Sequence, residues 1–414
     1  MLKFYLKKFV NHNKIRMKKR KESLTMRRIF KKKGIYLSGL LLCITLALGA
    51  CKGTGATAGS SAQETQTAAE SSTVKTEEAA QNDSSVQEVT DHAGRKLELP
   101  ATISSVYSTS PVGTMLMYTF DDKMVAGVNV NISDAEKIYL TEYYTALPNL
   151  GGWYGKGNQG NIEEIIKAAP DVVLSSGTDQ GSIDQAEQLQ KQLGIPVVLV
   201  KSDLTDLPET YRFLGKLFGR EERGEELASY TQKTLDLAKE ITDKIPEDKK
   251  IRVYYAEEQD GLHTDPSGSS HSQLIDLCGG INVADCDITP GYGRTAVSIE
   301  QVMKWNPELI ICSVDNGFAD SSSYNTIMND GKWSVIPAVK NGLVFETPMQ
   351  PQNWFDRPPS VNTIIGIKWV HSILYPEYVD YDMKEETKEF YKLFYHVELS
   401  DKDVENITKN ALRK

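Results

Sequence analysis

The residues with the clearest binding chemistry are aromatic and basic side chains in loops next to predicted strands. They are Tyr107, Trp153, Tyr154, Tyr292, Arg294, Trp354 and Arg357, and the polar Ser108 beside Tyr107 is counted with them. Aromatic rings offer flat apolar faces, and guanidinium groups donate charge-assisted hydrogen bonds to anions. Because such side chains commonly line pockets for large, flat or anionic ligands, we predict that these residues bind a ligand. The alternative is that some of them pack beneath loops as part of the core.

The sequence carries no recognisable catalytic motif. It lacks the phosphate-binding loop G-x-x-x-x-G-K-[ST], the nucleophile elbow G-x-S-x-G, the zinc motif H-E-x-x-H and any C-x-x-C pair. The six histidines have no metal-ligand spacing; they are His12, His92, His263, His271, His371 and His396. We therefore predict a binding protein rather than an enzyme, without a bound metal or cofactor.

Charge is distributed very unevenly along the 414 residues. Residues 1–33 carry a net charge of +13 and the remainder carries −22, which gives −9 for the whole chain. A nucleic-acid-binding protein would carry positive charge on its folded body, so we expect no nucleic-acid partner. The 40% hydrophobic share and the length suit two or more globular domains.

Residues 1–51 have the parts of a secretory signal. After the basic stretch, Ile35–Ala50 is a run of 16 uncharged residues, shorter than the roughly 20 that a membrane-spanning helix needs. The run ends in Leu48-Gly49-Ala50-Cys51, which resembles the lipobox of bacterial lipoproteins. That resemblance implies cleavage before Cys51 and acylation of its thiol. A short transmembrane anchor is the alternative, and translation from Met26 would give a signal of ordinary length.

Residues 52–86 contain almost no large apolar side chains, so burial cannot offset the entropy of ordering them. We predict a disordered tether that holds the mature protein on the extracytoplasmic face of the cell membrane through lipid on Cys51. Cys278 and Cys286 could form a disulfide in such an oxidising location. Cys312 lies in an apolar run and is predicted to be buried.

An internal repeat gives the domain organisation. Residues 161–174 align without gaps on residues 298–311. Each copy begins with a helix-capping residue, contains a helical apolar pattern, stops at a proline and continues as a run rich in Val, Leu and Ile. This order predicts a helix followed by a buried parallel strand in each of two similar lobes.

The remaining pattern completes an α/β fold of two Rossmann-like lobes with mostly parallel sheets. Further strands are predicted at Ile103–Ser108, Met124–Asn129, Val197–Val200, Arg252–Glu257 and Leu343–Thr347. Apolar residues at spacings of three and four predict one long helix over residues 221–245, with Gly219 ending a short helix before it. We therefore expect an N-terminal lobe over 87–220, this connecting helix, and a C-terminal lobe with terminal helices over 246–414. A ligand cleft is expected between the lobes.

The order of these segments resembles the substrate-binding proteins of iron-chelate and cobalamin ABC importers. The resemblance runs from about residue 88 to 376 and is carried by TDHAGRKLELP (90–100), SSVYSTSP (104–111), the two repeats, GREERGEEL (219–227), LCGGINVA (277–284), WSVIPAVKNGLVFETP (333–348) and WFDRPPS (354–360). It implies a lipid-anchored protein that captures an iron-siderophore, haem or cobalamin-type chelate for an ABC permease dimer with a cytoplasmic ATPase. Alternatives are an oxyanion binder for molybdate or tungstate, or a surface ligand sensor.

The resemblance also implies roles for individual residues. In the cobalamin-binding branch, a Trp before the first repeat and an Arg in the W-F-x-R segment contact the ligand, and Trp153 and Arg357 match these positions. The branch's Trp before the second repeat is missing, with Tyr292 and Arg294 nearby instead, and two arginines in one lobe suit an anionic ligand.

Glu163 and Glu300 hold the same position in the two repeats. They match the surface glutamates, one per lobe, that pair with permease arginines in this family, so we predict that they dock the permease. The alternative role of each carboxylate is to complement the dipole of its own helix.

Overall fold

A computed structural model describes residues 86–155, 157–289, 293–313, 322–357 and 360–413. The predicted signal, Cys51, nearly all of the predicted tether and Tyr292 lie outside these residues. The strands are β1 Val86–Thr90, β2 Lys96–Pro100, β3 Val106–Ser108, β4 Val172–Ser176, β5 Val197–Val200, β6 Arg252–Ala256, β7 His263–Thr264, β8 Ile281–Asn282, β9 Thr295–Ala296, β10 Leu309–Cys312 and β11 Val344–Glu346.

The α-helices alternate with these strands. They are α1 Pro111–Phe120, α2 Asp134–Lys137, α3 Glu142–Thr145, α4 Ile162–Ala168, α5 Gln180–Leu193, α6 Leu207–Leu217, α7 Glu221–Lys244, α8 Gln273–Leu277, α9 Ile299–Trp305, α10 Ser323–Asn329, α11 Pro337–Lys340, α12 Thr363–Leu374, α13 Met383–Phe390 and α14 Asp401–Ile407. Among the described residues, none of the helices is both long enough and apolar enough to cross a membrane.

Each lobe is built around one parallel sheet. The first has the order β3-β4-β5, and the second has the order β11-β10-β6-β8. The central strands β4 and β10 are buried almost throughout, as strands covered on both faces by helices must be. The prediction of two lobes with mostly parallel sheets is confirmed. Two short antiparallel pairs, β1-β2 and β7-β9, were not predicted.

The predicted strand Met124–Asn129 is wrong. In the structure Met124 ends a single 3-10 turn, and the segment makes only two isolated bridges, Val125 to Val106 and Val128 to Asn149. Its apolar side chains are buried as expected, but the chain does not stay beside one neighbouring strand for long enough to form a ladder. Burial of an apolar run therefore did not require a strand here.

The two repeats fold as predicted. The side chain of Asn161 accepts a hydrogen bond from the amide of Glu164, and that of Ser298 accepts one from the amide of Gln301, each at 3.2 Å. Each helix then ends two residues before a proline, and the residue between them has the left-handed backbone conformation (φ 47° at Ala169, φ 51° at Asn306). The ring of a following proline disfavours the α-helical conformation of the residue before it, so the proline stops both helices at the same place.

The long connecting helix is α7, which runs from Glu221 to Lys244 and is about 36 Å long. Its buried face packs into the core, and Gly224 lies against Gly215 of α6 so closely that a Cβ on Gly224 would come 2.8 Å from the Cα of Gly215. Gly219 separates the two helices with a φ of +62°, which a glycine adopts without strain. The predicted helix and its glycine stop are confirmed.

Arg223 fastens the connecting helix to its surroundings. Its guanidinium donates to the carbonyl of Thr119 (2.7 Å) and that of Phe120 (3.1 Å) at the end of α1. It also donates to the carbonyl of Leu393, just after α13, at 2.7 Å. One side chain thus joins the connecting helix to a helix of the first lobe and to the C-terminal helical region.

The described cysteines are free thiols. Cys278 and Cys312 are buried and Cys286 is half-buried, so the possible disulfide between Cys278 and Cys286 is not formed. Burial raises the pKa of the Cys278 and Cys312 thiols, which keeps them protonated and unreactive.

Candidate functional site

The carboxyl ends of the parallel strands define two sheet edges where a ligand would bind. The first-lobe edge consists of residues at or near the ends of β3 and β4: Thr109, Asn129, Trp153, Tyr154 and Ser175. The second-lobe edge consists of charged residues at or near the ends of β6 and β11: Glu257, Glu258, Asp265, Arg294, Asp356 and Arg357.

The first-lobe edge is a network of uncharged groups. The hydroxyls of Thr109 and Ser175 lie 2.8 Å apart, which joins the ends of β3 and β4. The Asn129 amide donates to the carbonyls of Ser108 (2.9 Å) and Gly151 (2.7 Å). The amide of Trp153 donates to the carbonyl of Thr109 at 2.7 Å, so the loop that carries Trp153 is bonded to the strand end.

Trp153 and Tyr154 are the aromatic residues of this edge that remain accessible. Both are half-buried, and the Tyr154 hydroxyl donates to the carbonyl of Asn129 at 3.3 Å. The Trp153 ring lies directly over Gly160, where a Cβ would collide with it. The ring is therefore held in one orientation with part of its surface in solvent, as a stacking platform for a flat ligand requires.

Tyr107 and Ser108 were predicted to contact the ligand, but they do not line the first-lobe edge. Tyr107 has no exposed surface, and its hydroxyl donates to the carbonyl of Gly151 at 2.7 Å. Ser108 is also buried, with its hydroxyl 3.2 Å from the carbonyl of Ser110. A side chain without accessible surface cannot contact a ligand in this conformation, so these two residues position the loops that carry Trp153 and Ser110.

The second-lobe edge is a cluster of buried ions around Arg357. Its Nε lies 2.9 Å from Glu257 Oε1 and 3.2 Å from Asp356 Oδ2, while its Nη2 pairs with Asp265 Oδ2. Glu257 and Asp265 have no exposed surface, whereas 16% of the Arg357 side chain is exposed. Among the described residues no partner of its Nη1 atom is found, and the exposed fraction shows that part of the Arg357 side chain reaches the solvent.

Arg294 joins the same cluster from the loop before the second repeat. Its Nη1 lies 2.7 Å from Glu258 Oε1, and its Nε lies 3.4 Å from Glu257 Oε1. Gly293 precedes it with a φ of +68°, and a Cβ there would collide with the Asp265 carboxylate and crowd Arg357. The loop can therefore approach the cluster only because residue 293 is glycine.

Burial changes the proton affinity of the carboxylates in this cluster. It is the main reason why the pKa of Glu257 rises from 4.5 to about 8; the negative charge of Asp265 adds to the rise, and Arg357 opposes it. Burial also raises the pKa of Asp356. The hydrogen bond between Asp356 and Nδ1 of His271, at 2.7 Å, acts against this rise. Glu257 therefore holds its proton up to about pH 8 in the folded protein.

The cluster does not support a metal site. Asp265, His271 and Asp356 each bring one possible ligand atom within 4.8 Å of the others. The Arg357 guanidinium, however, pairs with both Asp265 and Asp356, and its positive charge would oppose a cation at the same carboxylates.

Trp354 is a structural residue, which corrects the prediction that it contacts ligand. It has no exposed surface, and its Nε1 donates to the Tyr391 hydroxyl at 3.3 Å. Its carbonyl lies against Gly366 of α12, where a Cβ would overlap the carbonyl oxygen. Trp354 therefore anchors the segment that presents Asp356 and Arg357.

Sequence reasoning missed the carboxylates that hold the two arginines. Glu257 and Asp265 are far from Arg357 in sequence, and no spacing rule connects them. The available signal was topological: Glu257 is the first residue after the buried strand β6, and charge at the carboxyl end of such a strand lies where ligands bind.

Glu163 and Glu300 lie on the surface of their lobes. Each is the second residue of its helix, α4 or α9, and both are exposed.

Comparison with known proteins identifies the class to which this architecture belongs. The family model described as "Periplasmic binding protein" matches residues 105–351, so the chain belongs to the periplasmic binding protein family. The molybdate-binding protein MolA of Haemophilus influenzae is 27% identical over 338 residues, which are 74% of this chain and 90% of that protein. The vitamin B12-binding protein of Yersinia pestis is 28% identical over 232 residues, 55% of this chain and 76% of that protein.

Solved structures agree. An ABC transporter solute-binding protein from Sulfurospirillum deleyianum is 34% identical with a TM-score of 0.70, covering 78% of this chain and 99% of that one. A periplasmic solute-binding protein from Veillonella parvula is 28% identical with a TM-score of 0.64, covering 78% of this chain and 97% of that one. This is an extracytoplasmic solute-binding protein of an ABC transporter, and such a protein is not an enzyme.

Proposed function

We propose that this chain captures a metal chelate of the iron-siderophore, haem or cobalamin type and delivers it to an ABC permease. One observation carries the proposal: Arg294 and Arg357 lie together at the carboxyl edge of the second sheet, and part of the Arg357 side chain is exposed. Trp153 and Tyr154 offer partly exposed rings at the carboxyl edge of the first sheet.

The buried carboxylates give this site a way to exchange its ligand. Without an anion, the guanidinium groups of the two arginines contact the carboxyl groups of Glu257, Glu258, Asp265 and Asp356. An arriving anion competes for the guanidinium groups, and because Glu257 holds a proton up to about pH 8, its carboxyl group can give up Arg357 without leaving a buried negative charge. The arginines remain ordered in both states, which lowers the entropy cost of binding.

A molybdate-type oxyanion is the second candidate. It is favoured by the similarity to MolA of Haemophilus influenzae, which extends over 90% of that protein. A small oxyanion would need the two arginines but no stacking on Trp153, whereas a chelate or haem would use both edges.

The test begins with native mass spectrometry and an absorption spectrum of protein purified from its own host. Calorimetric titrations with sodium molybdate, haemin, cyanocobalamin and a ferric catecholate siderophore follow. Tight binding of one of the three chelates that weakens in Arg357→Ala supports the first candidate, and molybdate binding with the same dependence supports the second. Binding of none of the probes, with no ligand in the native protein, would contradict both.

We further propose that lipid on Cys51 anchors the protein, because the lipobox-like segment ends there and a polar tether follows. In Cys51→Ala the protein should be released or remain an uncleaved precursor, as judged by membrane fractionation and metabolic labelling with palmitate. Normal cleavage and membrane association of this variant would contradict the anchor.

We also assign permease docking to Glu163 and Glu300. Their support is exposure at the same position of two repeated helices. A permease built as a two-fold dimer presents the same surface twice and therefore favours a partner that carries the same charge once on each lobe.

A further inference from the structure

The two repeats match in exposure as well as in sequence. Residues 161–170 and 298–307 have the same degree of burial at nine of ten aligned positions. Their helices also begin with equivalent side-chain caps, from Asn161 and Ser298, and end in the same left-handed conformation. Helices α4 and α9 therefore present equivalent faces to solvent, one on each lobe.

One feature of these faces is not explained by folding. Ile166 is 47% exposed and Met303 is 37% exposed, and the two residues occupy the same aligned position. The other apolar residues of α4 and α9, such as Ile165 and Val302, are buried or half-buried. A single exposed apolar side chain is ordinary, but the same exposure at the same position in both copies is a repeated property of the surface.

The exposed apolar residues adjoin the proposed docking acids. Ile166 follows Glu163 by three residues, and Met303 follows Glu300 by three, so each pair lies on one face of its helix. Each lobe thus carries a carboxylate and an apolar side chain side by side. A binding pocket for this pair would combine a basic group with an apolar depression.

We propose that Ile166 and Met303 are the apolar half of the permease-docking surface, each entering one of two equivalent pockets of the permease dimer. This inference rests on the proposed function. Neither a small ligand nor a partner without symmetry requires the same pair twice, whereas a two-fold dimer does. An anionic lipid surface is a poorer fit, because Glu163 and Glu300 would be repelled by it.

The test measures binding of the full-length protein to its cognate permease–ATPase complex in lipid nanodiscs, by biolayer interferometry without added ligand. In Ile166→Ser with Met303→Ser, the dissociation constant should rise about tenfold, and in each single variant about threefold. The matched control is Ile138→Ser with Met328→Ser, which removes an isoleucine and a methionine that are 68% and 41% exposed outside the two repeats. This control should change the dissociation constant less than about twofold.

The outcomes separate the inference from the proposed function. Restored binding by Ile166→Leu with Met303→Leu, at unchanged melting temperature, supports an apolar contact. If wild-type protein fails to bind the permease complex, the proposed delivery role falls and this inference with it. If wild type binds and the double serine variant matches its control, only the inference is wrong. Loss of a homodimer in the serine variant, seen by analytical ultracentrifugation with permease binding intact, would also overturn it.

Discussion

The two lobes are alike where they carry the repeated helices and unlike where their sheets end. Helices α4 and α9 share their caps, their stops and the exposure of nearly every residue. At the sheet edges the first lobe offers neutral groups such as Thr109, Asn129 and Ser175, whereas the second lobe holds several buried carboxylates around two arginines.

This difference separates two demands on the protein. A symmetric membrane partner requires that the lobes stay alike on the surface it contacts. A ligand without that symmetry is bound by two different edges, so one edge can supply charge and the other aromatic surface. Substitutions in the repeated helices test the shared surface, and substitutions at the sheet edges test the difference between the lobes.

Charge reversal of the matched acids should have the largest effect. In Glu163→Arg with Glu300→Arg, uptake of ligand and stimulation of ATP hydrolysis should fall to background, because both docking contacts become repulsive. Ligand affinity should stay within about threefold, roughly 0.6 kcal/mol, of wild type. Uptake in membrane vesicles and calorimetric titration measure the two quantities.

The control for this prediction is Glu142→Arg with Glu405→Arg, which reverses two exposed acids outside the repeats, one before the first repeat and one after the second. It should leave uptake intact. Normal uptake in the Glu163/Glu300 variant would remove these residues from docking, and a large loss of ligand affinity would place them in the binding site instead.

Removal of the Arg357 side chain should have the second-largest effect. Arg357→Ala leaves Glu257 and Asp265 buried without their main partner, which should lower the free energy of unfolding by about 3–5 kcal/mol. An anionic ligand should lose roughly ten- to a hundredfold in affinity. Urea unfolding and titration with the ligand found for wild type are the measurements.

The control is Arg212→Ala, which breaks an exposed pair with Glu225 and should lower the free energy of unfolding by less than about 1 kcal/mol. Equal effects of the two substitutions would contradict the role of Arg357.

The pH dependence of stability should report on Glu257. Its pKa is higher in the folded protein (about 8) than its ordinary value of 4.5, so the folded state holds an extra proton between these values. The stability that this proton provides is complete below about pH 4.5 and is lost as the pH rises to about 8. The charged groups that face this carboxyl group are Asp265, Arg294 and Arg357.

In the wild type, the loss of this proton's contribution should lower the free energy of unfolding by on the order of 1–3 kcal/mol between pH 5 and pH 8, as measured by urea unfolding. Glu257→Gln should remove this pH dependence. Glu258→Gln, at the half-exposed neighbouring position, should retain the wild-type slope. Identical slopes in all three proteins would contradict the shifted pKa.

The smallest expected effect is optical. Ligand binding should change tryptophan fluorescence through Trp153, whose ring is partly exposed at the first-lobe edge, and not through the fully buried Trp354. Trp153→Phe should therefore lose most of the ligand-induced change, and Trp354→Phe should keep it. The reverse result would show that the ligand reaches Trp354 and that the first-lobe edge is not part of the site.

Local patterns predicted the fold well, because they act over a few residues. The repeat, the long helix and the strands Val197–Val200 and Arg252–Ala256 follow from caps, prolines and continuous apolar runs. The failures were elements whose partners are distant, such as the two-residue strands β7 and β9 and the segment Met124–Asn129.

The site was predictable only in part, for the same reason. Arg294 and Arg357 were identified by residue type, but their acidic partners come from separate loops that only the folded sheet brings together. Sequence also cannot tell an aromatic side chain that lines a pocket from one that anchors its wall. Trp153 and Trp354 look equivalent in the sequence, and tertiary packing leaves only the first of them with accessible surface.

The connecting helix α7 has a mechanical consequence. A continuous helix of about 36 Å, clamped by Arg223 to α1 and to the segment after α13, is a stiff strut rather than a flexible hinge. The separation of α4 and α9 should then change little when a ligand enters or leaves. A membrane partner that contacts both helices at once would therefore meet nearly the same spacing of contacts in the empty and in the loaded protein.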